Sequence, residues 1–472
     1  MVGLLVFSSS CSLFRKAEDG EEIVDEEELG PIEGRQVYDP TLGQWVTIPD
    51  QPSEGMDTLM WKLVDESQRP PISSGGTGVV DPNEDGTYLL ETDQEYGSEK
   101  FTRYNVSLLL PFLADRSENL SGEVYDGSLW ALHFFSGAQM ALSELGQQGI
   151  KLNVAVKDTR GDVSTVERLL RQDPFIRQSH LIIGPYRRDN VRQVAEYAKR
   201  NQITFVSPYS GTANLSTENP EYIQVSPTLQ SHCRAIIDHT LSRYAANQVV
   251  LVRENNETQK AILDFFQTAY FSYVGTDQVT PLQEYVVSEE NSNYAKIDLK
   301  NYLEERDTLI LIVPSWSEPF VYSLLREADL ARSNEDHIVI FGLPQWMRFE
   351  QMDYDYYEKL NLHLSSNYFI DHEASEISRF RENFFQRFGT VPRMEAYLGY
   401  DVMKYFGKQL HEHGTKFQYY LEEEPSDYLH TRFEFEPMYQ PGSDLLKAKI
   451  DHFENQFVHI LRFKDYEFQP AR

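Results

Sequence analysis

The sequence predicts an α/β protein of two lobes, each a doubly wound parallel sheet, facing one another across a cleft and preceded by a largely disordered acidic tether. Three observations carry this expectation. Short apolar runs alternate with stretches whose apolar residues recur at helical spacing, the pattern of buried strands joined by right-handed crossover helices. That grammar occurs twice in tandem, before and after about residue 227. The runs stop at turn chemistry such as Pro111-Phe112, Asp158-Thr159, Gly184-Pro185 and Ser207-Pro208, and the carboxyl ends of parallel strands are where such sheets hold ligands.

The chain opens with an apolar run, Met1 to Phe7, followed by three serines and Cys11. This resembles the end of a bacterial lipoprotein signal, with residues 1–11 as signal remnant and lipobox and Cys11 acylated. Two features depart from that pattern: no basic residue precedes the run, and Ser8 stands where a lipobox usually has Leu. An ordinary N-terminus with a chance cysteine is the alternative. Residues 12–102 then have the composition of a tether, with an acidic block from Glu18 to Glu28 and a Pro/Gly/Ser stretch from Pro70 to Gly78. A small hairpin is expected at 36–48, turning at Asp39–Gly43.

The globular part begins at Arg103. Its first strands are Tyr104–Phe112, Ile150–Thr159, His180–Pro185 and Ile203–Gly211. The second series has helices at 231–244, 261–270, 297–304 and 319–330 around strands at 248–253, 283–287, 307–314 and 337–344. In the tail, helices are expected at 378–388 and 395–413, the latter stopping at Gly414 as a helix end should. Residues 431–436 and 457–463 read as strands, expected to form an antiparallel pair.

At 472 residues the chain has room for two or three domains. Its net charge is −31, and residues 1–100 hold 22 Asp/Glu against 6 Lys/Arg. That surface repels phosphates and no basic stripe offsets it, so nucleic acid is excluded as a partner. Cys233 is the one other cysteine; with Cys11 acylated no internal disulfide forms, which a large periplasmic domain does not need. No run of 18 apolar residues occurs, so membrane attachment would rest on lipid alone.

Catalytic signatures are missing: there is no Walker loop, dinucleotide glycine fingerprint, Gly-x-Ser-x-Gly elbow or His-Glu-x-x-His. No catalytic residue, cofactor or metal is therefore expected, and the chain reads as no enzyme. His411 and His413, at i and i+2, point to different sides of a helix, and histidine suits a helix's last turn anyway. Asp158 and Asp162 read better as turn-stabilising side chains than as a catalytic pair. Ser207 lacks a base in any motif. Ser207-Pro-Tyr-Ser-Gly211 reads as a strand end followed by a helix start, whose N–H groups and hydroxyls suit an anion. Gly184-Pro-Tyr-Arg-Arg188 reads the same way and adds two guanidinium groups, which are equally at home solvated at a helix start. Trp316, after a second-lobe strand, either stacks on a ligand or packs against its lobe.

Leu108-Leu-Leu-Pro-Phe112, Asp158-Thr159, Leu181-Ile-Ile-Gly-Pro185 and Val206-Ser-Pro208 resemble, in order and spacing, the type I periplasmic binding proteins, the superfamily of the leucine/isoleucine/valine-binding proteins of ABC transporters. Gly389-Thr-Val-Pro392 and Ala396-Tyr-Leu-Gly-Tyr-Asp401 resemble the helix that closes that family's first lobe. The likeness covers about residues 103–472. With the acidic tether, the chain is similar to the substrate-binding lipoproteins of Bacteroidetes-type bacteria. It departs from the amino-acid-binding branch at several points. Tyr186-Arg187-Arg188-Asp189 replaces a Ser/Thr-rich loop, Tyr209, Ser210 and Gly211 replace small residues and a threonine, and neutral Gln345 stands where that branch has an acid for the α-amino group.

The resemblance implies a lobe 1 of 103–227 plus 368–425 and a lobe 2 of 228–367 plus 426–472. It implies a small polar ligand, an amino acid or a peptidoglycan-derived solute, held between loops 111–116, 184–188, 207–211, 315–317 and 344–346. The candidate ligand-binding residues are Phe112, Tyr186, Arg187, Ser207, Tyr209, Ser210, Gly211, Trp316 and Gln345. An ABC permease is the expected partner, and the place a lipid-anchored, periplasm-facing envelope, outer membrane before inner. The alternative is a docking lipoprotein that regulates a cell-wall synthase or other envelope machinery with a degenerate cleft.

Overall fold

The structure is a computed structural model that describes residues 35–39, 44–48, 87–117, 124–276, 278–287, 297–304, 306–333, 337–439 and 449–471. Cys11 and most of the tether lie outside them. Strands β1 (Arg35–Asp39) and β2 (Gln44–Ile48) pair antiparallel where the sequence predicts a hairpin. A second hairpin, β3 (Leu89–Thr92) with β4 (Glu99–Phe101), precedes the lobes.

The first sheet takes β5 (Tyr104–Leu110), β6 (Leu152–Asp158), β7 (Leu181–Ile183), β8 (Thr204–Ser207) and β9 (Tyr222–Gln224). The second takes β10 (Val249–Glu254), β11 (Gln283–Val287), β12 (Thr308–Ile312), β13 (His337–Gly342) and β14 (Leu362–Ser366). The tail adds β15 (Ser426–Asp427), β16 (Arg432–Phe433), β17 (Phe435–Tyr439), β18 (Ile450–Asn455), β19 (His459–Lys464) and β20 (Glu467–Pro470). Spatial order is β17-β18-β9-β8-β7-β5-β6 in one lobe and β11-β10-β12-β13-β14-β19-β20 in the other. Strands β5 to β9, and separately β10 to β14, are parallel throughout.

The α-helices of ten residues or more are α1 (Leu129–Gln147), α2 (Val163–Gln172), α3 (Arg188–Asn201), α4 (Leu229–Leu241), α5 (Glu257–Val274), α6 (Glu318–Ala331), α7 (Ser375–Phe388) and α8 (Met394–His413). Alternation decides which side each covers. Val106, Leu108 and Leu110 of β5 pack with Phe134 of α1 and Val402 of α8, while Leu109 faces Val191 and Val194 of α3. In the second lobe Leu309 and Leu311 meet Phe320 and Leu324 of α6, and Ile310 and Ile312 meet Ile236 of α4 and Phe266 of α5. Helices α1 and α8 cross on glycine: a Cβ at Gly137 or Gly399 would overlap the Ala396 or Phe134 carbonyl.

Three expectations about boundaries are corrected. First, 431–436 and 457–463 do not pair with each other. Strand β17 pairs antiparallel with β18, and β19 pairs antiparallel with β14 and β20. Second, residues 426–472 are not all second-lobe: β17 and β18 complete the first sheet and only β19 and β20 the second. Both segments alternate, so pattern alone leaves the partner open, and backbone pairing with a distant edge strand decides it. Third, the stretch to residue 102 is not all tether. Ser98 is fully buried; its Oγ donates to the His413 carbonyl and accepts from Lys416 N (2.9 Å), and Tyr96 stacks on Tyr419 at 4.6 Å. These long-range bonds clasp the β3–β4 hairpin to the first lobe.

The chain crosses between lobes after β9, after β14 and between β18 and β19. The crossings are tied by buried polar groups. Glu454 Oε1 accepts from Thr228 N (2.8 Å) and from Ser231 Oγ (2.6 Å) at the start of α4. Phe369 N donates to His430 O (2.8 Å), and His430 N donates to the buried Asp401 carboxylate (2.8 Å).

Candidate functional site

The carboxyl ends of the parallel strands build the cleft loops, and these hold the residues singled out from sequence. On the first lobe the loop after β7 is fixed by Gly184, whose φ of +81° suits glycine and whose missing Cβ leaves room for the Leu109 carbonyl. Tyr186 and Tyr209 then meet a residue sequence reasoning had not selected. Trp130, at the start of α1, stacks on Tyr186 at 4.9 Å and receives Tyr209 edge-on at 5.5 Å, and the two tyrosines meet edge-to-face at 6.0 Å. Phe112 packs edge-on against Phe135 at 5.9 Å. Trp130 sits in an apolar helical stripe, so only its position in the first turn distinguishes it from core.

Arg187 caps α3, and its Nε donates to Tyr186 OH at 3.3 Å. The helix start expected after Arg187 is present, with Arg188 its first residue. The one expected after Ser207 is not: no helix begins between β8 and α4, and Ser207 and Ser210 are fully buried. The physical reason is that this loop turns back toward the crossover. A Cβ on Gly211 would lie 2.8 Å from Pro227 O, and Val225 N donates to Ser207 O (3.0 Å). Ser207 Oγ lies in the interior with no hydrogen-bond partner among the described residues, as do both amide atoms of Asn190 in the first turn of α3.

On the second lobe Trp316 packs half-buried against its own core, and its Nε1 has no partner among the described residues. Gln345 Oε1 is likewise buried and unpartnered. Neighbouring Trp346 is core: its Nε1 donates to Ser315 O (2.8 Å). An acid does stand at a second-lobe strand end, two strands along the sheet from β13, which Gln345 follows. Glu254 closes β10, where Gln259 Nε2 and Ser315 Oγ donate to its carboxylate, the latter at 3.1 Å. Sequence reading passed over it because it lies just past 248–253, a run taken only as buried strand.

Other candidates resolve into structural roles. Asp158 accepts from Leu113 N, Ala114 N (3.0 Å) and Arg160 N (2.8 Å), and Asp162 caps α2 through Thr165 N (2.8 Å). His413 stacks on Tyr420 and lies 3.3 Å from Glu424, beside Glu412. Burial drives the Cys233 thiol well above its usual pKa, which leaves it unreactive. Among the described residues no helix is long and apolar enough to cross a membrane.

A family model described as periplasmic binding protein matches residues 120–418. No curated protein matches the chain. Among solved structures, a putative branched-chain amino acid ABC transporter protein of Rhodospirillum rubrum is similar over 78% of this chain and 100% of its own, at 12% identity and a TM-score of 0.55. An ABC transporter substrate-binding protein of Desulfitobacterium hafniense covers the same shares at 14% identity and 0.51. A branched-chain amino acid ABC transporter periplasmic ligand-binding protein of Burkholderia xenovorans gives 78% and 94%, 11% identity and 0.50. At these identities the likeness is one of fold.

Proposed function

The chain belongs to the periplasmic binding protein family, and on that premise we propose that it is a non-catalytic, lipid-anchored solute receptor of the cell envelope. Its two lobes close on a small polar ligand, an amino acid or a peptidoglycan-derived solute, and hand it to an ABC permease. One observation carries the reading. Buried polar atoms without partners among the described residues sit on strand-end loops of both lobes: Ser207 Oγ on the first, Trp316 Nε1 and Gln345 Oε1 on the second. Interiors leave few such atoms, since each costs about 1–3 kcal/mol. A ligand's polar groups relieve that cost when they arrive with lobe closure. Arg187 and the start of α3 suit an acidic end, Glu254 an ammonium, and the faces of Tyr186 and Tyr209 an apolar or cationic part.

Calorimetry of the full chain against amino acids and muropeptides tests this. A ligand that carries an ammonium should lose about tenfold or more in affinity in Glu254→Gln, the value of one charge-assisted hydrogen bond, and should also weaken in Tyr209→Ala. No heat from any of these solutes, or binding indifferent to both variants, would sink the reading. Mass spectrometry of the native protein tests the anchor: a Cys11 without diacylglycerol removes it. The docking reading has one observation in its favour. Tyr88, Leu89 and Leu90, on and beside the β3 strand, are each more than half exposed, an apolar patch of the sort partners cover. Silence in calorimetry together with cross-linking from Leu90 to a cell-wall synthase would replace the first reading with the second.

A further inference from the structure

The second lobe carries a groove, about 980 Å³ in volume, that the proposed cleft does not use. Its floor is the part of the second sheet bearing His363 on β14 and Arg462 and Lys464 on β19. One wall is the carboxyl end of α4 with His239 and Arg243, and the other is the crossover from Phe369 to Glu373. Thr308 and His337, the first residues of β12 and β13, line it too, so it opens toward the amino ends of these strands. Ser315, Trp316 and Gln345 lie past the opposite, carboxyl ends. The groove and the inter-lobe cleft are therefore separate places.

Its charges are unusual for so acidic a chain. Arg243 Nη1 donates to His239 O (3.2 Å) and Ser242 Oγ (2.8 Å), and Arg462 Nη2 donates to Asn361 Oδ1 (2.8 Å). These partners are neutral, and among the described residues neither guanidinium has a carboxylate within ion-pair distance. Both sit close to one ring. Burial, against a hydrogen bond to the Asn361 carbonyl, and then Arg462 and Arg243 hold the His363 imidazole at about 4, and His239 is held low by burial, Arg243 and His363. The groove also carries the carboxylates of Asp371, Glu373 and Glu467, none of them within ion-pair distance of either arginine. Asp371 Oδ1 accepts from Glu373 N (3.0 Å), and Glu467 Oε1 accepts from Gln469 Nε2 (2.7 Å). His363 stacks on its cross-strand neighbour Phe341 at 4.8 Å, and His239 meets Phe341 edge-on at 5.8 Å, which sets both rings against an apolar side. Two forks of N–H donors, neither paired with a carboxylate, thus converge over neutral rings in a concave, partly apolar setting, an arrangement matched by an oxygen anion.

We propose that this groove is a second ligand site, which takes a small oxyanion, a carboxylate or phosphoryl group, between Arg243 and Arg462 over His363 and His239. The group comes either from a free solute or from a lipid headgroup. The test titrates the full chain with inorganic phosphate by calorimetry, with ionic strength held constant by chloride, and in parallel sediments it with phosphatidylglycerol vesicles. One phosphate should bind per chain, about tenfold or more weakly in Arg243→Gln and in Arg462→Gln, and unchanged in Tyr209→Ala. Phosphate binding of that kind assigns a free solute. Co-sedimentation lost in the arginine variants, without phosphate heat, assigns a headgroup. A second readout is the His363 imidazole resonance, whose titration near pH 4 should move upward on adding phosphate in the wild type and stay in the double variant. Both arginines are exposed, and circular dichroism checks that the variants keep the fold. No heat up to about 10 mM phosphate with no co-sedimentation, or equal binding by wild type and the double variant, overturns the proposal.

Discussion

Replacing His452 by Gln should flatten the alkaline limb of this protein's stability curve. His452 is 9% exposed and lies between two acids, with Nδ1 3.1 Å from Asp451 Oδ2 and Nε2 3.5 Å from Glu454 Oε2, the latter an ion pair outside hydrogen-bond geometry. Burial on its own lowers the imidazole pKa, but the Asp451 hydrogen bond and the charges of Asp451 and Glu454 outweigh it and raise the value to about 9. The unfolded value is about 6.5. A folded pKa above the unfolded one means that the stabilisation is complete below about pH 6.5 and is lost as pH rises through about 9. A rise of about 2.5 units, at about 1.4 kcal/mol each, amounts to about 3 kcal/mol. Glu454 has the opposite sign. Burial pushes it up, yet His452, Ser231 and Thr228 hold it below its usual range, so its contribution is present above about pH 4.5 and fades as pH falls. Urea unfolding of wild type and His452→Gln at about pH 6.5 and about pH 9.5 reads the difference. The wild type should lose about 3 kcal/mol more than the variant over that interval. Tyrosines and Cys233 titrate in both proteins and cancel in the comparison. Equal pH dependence in the two would refute the reasoning.

Gly399→Ala should cost about 1–3 kcal/mol or more in urea unfolding, despite alanine's better helix propensity, because its Cβ drives α8 away from the Phe134 carbonyl of α1; a neutral or stabilised variant would contradict that crossing. Gly184→Ala combines a positive φ with a clash on the Leu109 carbonyl, so a fall in the thermal midpoint of several degrees is expected by calorimetry. Ser98→Ala removes a buried hydroxyl that serves both His413 O and Lys416 N. About 1–3 kcal/mol of local stability should go with it, seen as faster amide exchange across residues 88–102 while α8 stays protected.

Alternation and punctuation made most of the fold legible. Leu108 and Leu110 face one side of β5 and Leu109 the other, and Gly389 and Gly414 end their helices at the positions expected. What escaped notice was short or disguised. Strand β9 has three residues, too few to show a period, and β14 is Leu-His-Leu-Ser-Ser, which reads as polar loop although every residue is buried. The β3–β4 hairpin lies in an acidic stretch whose average composition hid it. At the site, turn residues advertised the loops carrying Tyr186, Tyr209 and Trp316. Trp130 and Glu254 carried no such punctuation, because a helix stripe and a strand terminus look the same whether or not a cleft lies beyond them.

Strands β18 and β19 stand only three residues apart in the chain yet belong to different sheets, and each pairs with strands made much earlier. Synthesis runs from one end to the other, so the order of assembly is constrained. While a ribosome is still adding residues before Ile450, β9 waits for its neighbour β18 and β14 for its neighbour β19. Both lobes then acquire their missing partners within the same short interval of translation. From the completion of β14 at Ser366 until Ile450 is reached, a nascent chain of this protein therefore carries two unpaired strand edges at once, and it is at that stage, rather than after release, that a chaperone has something to hold.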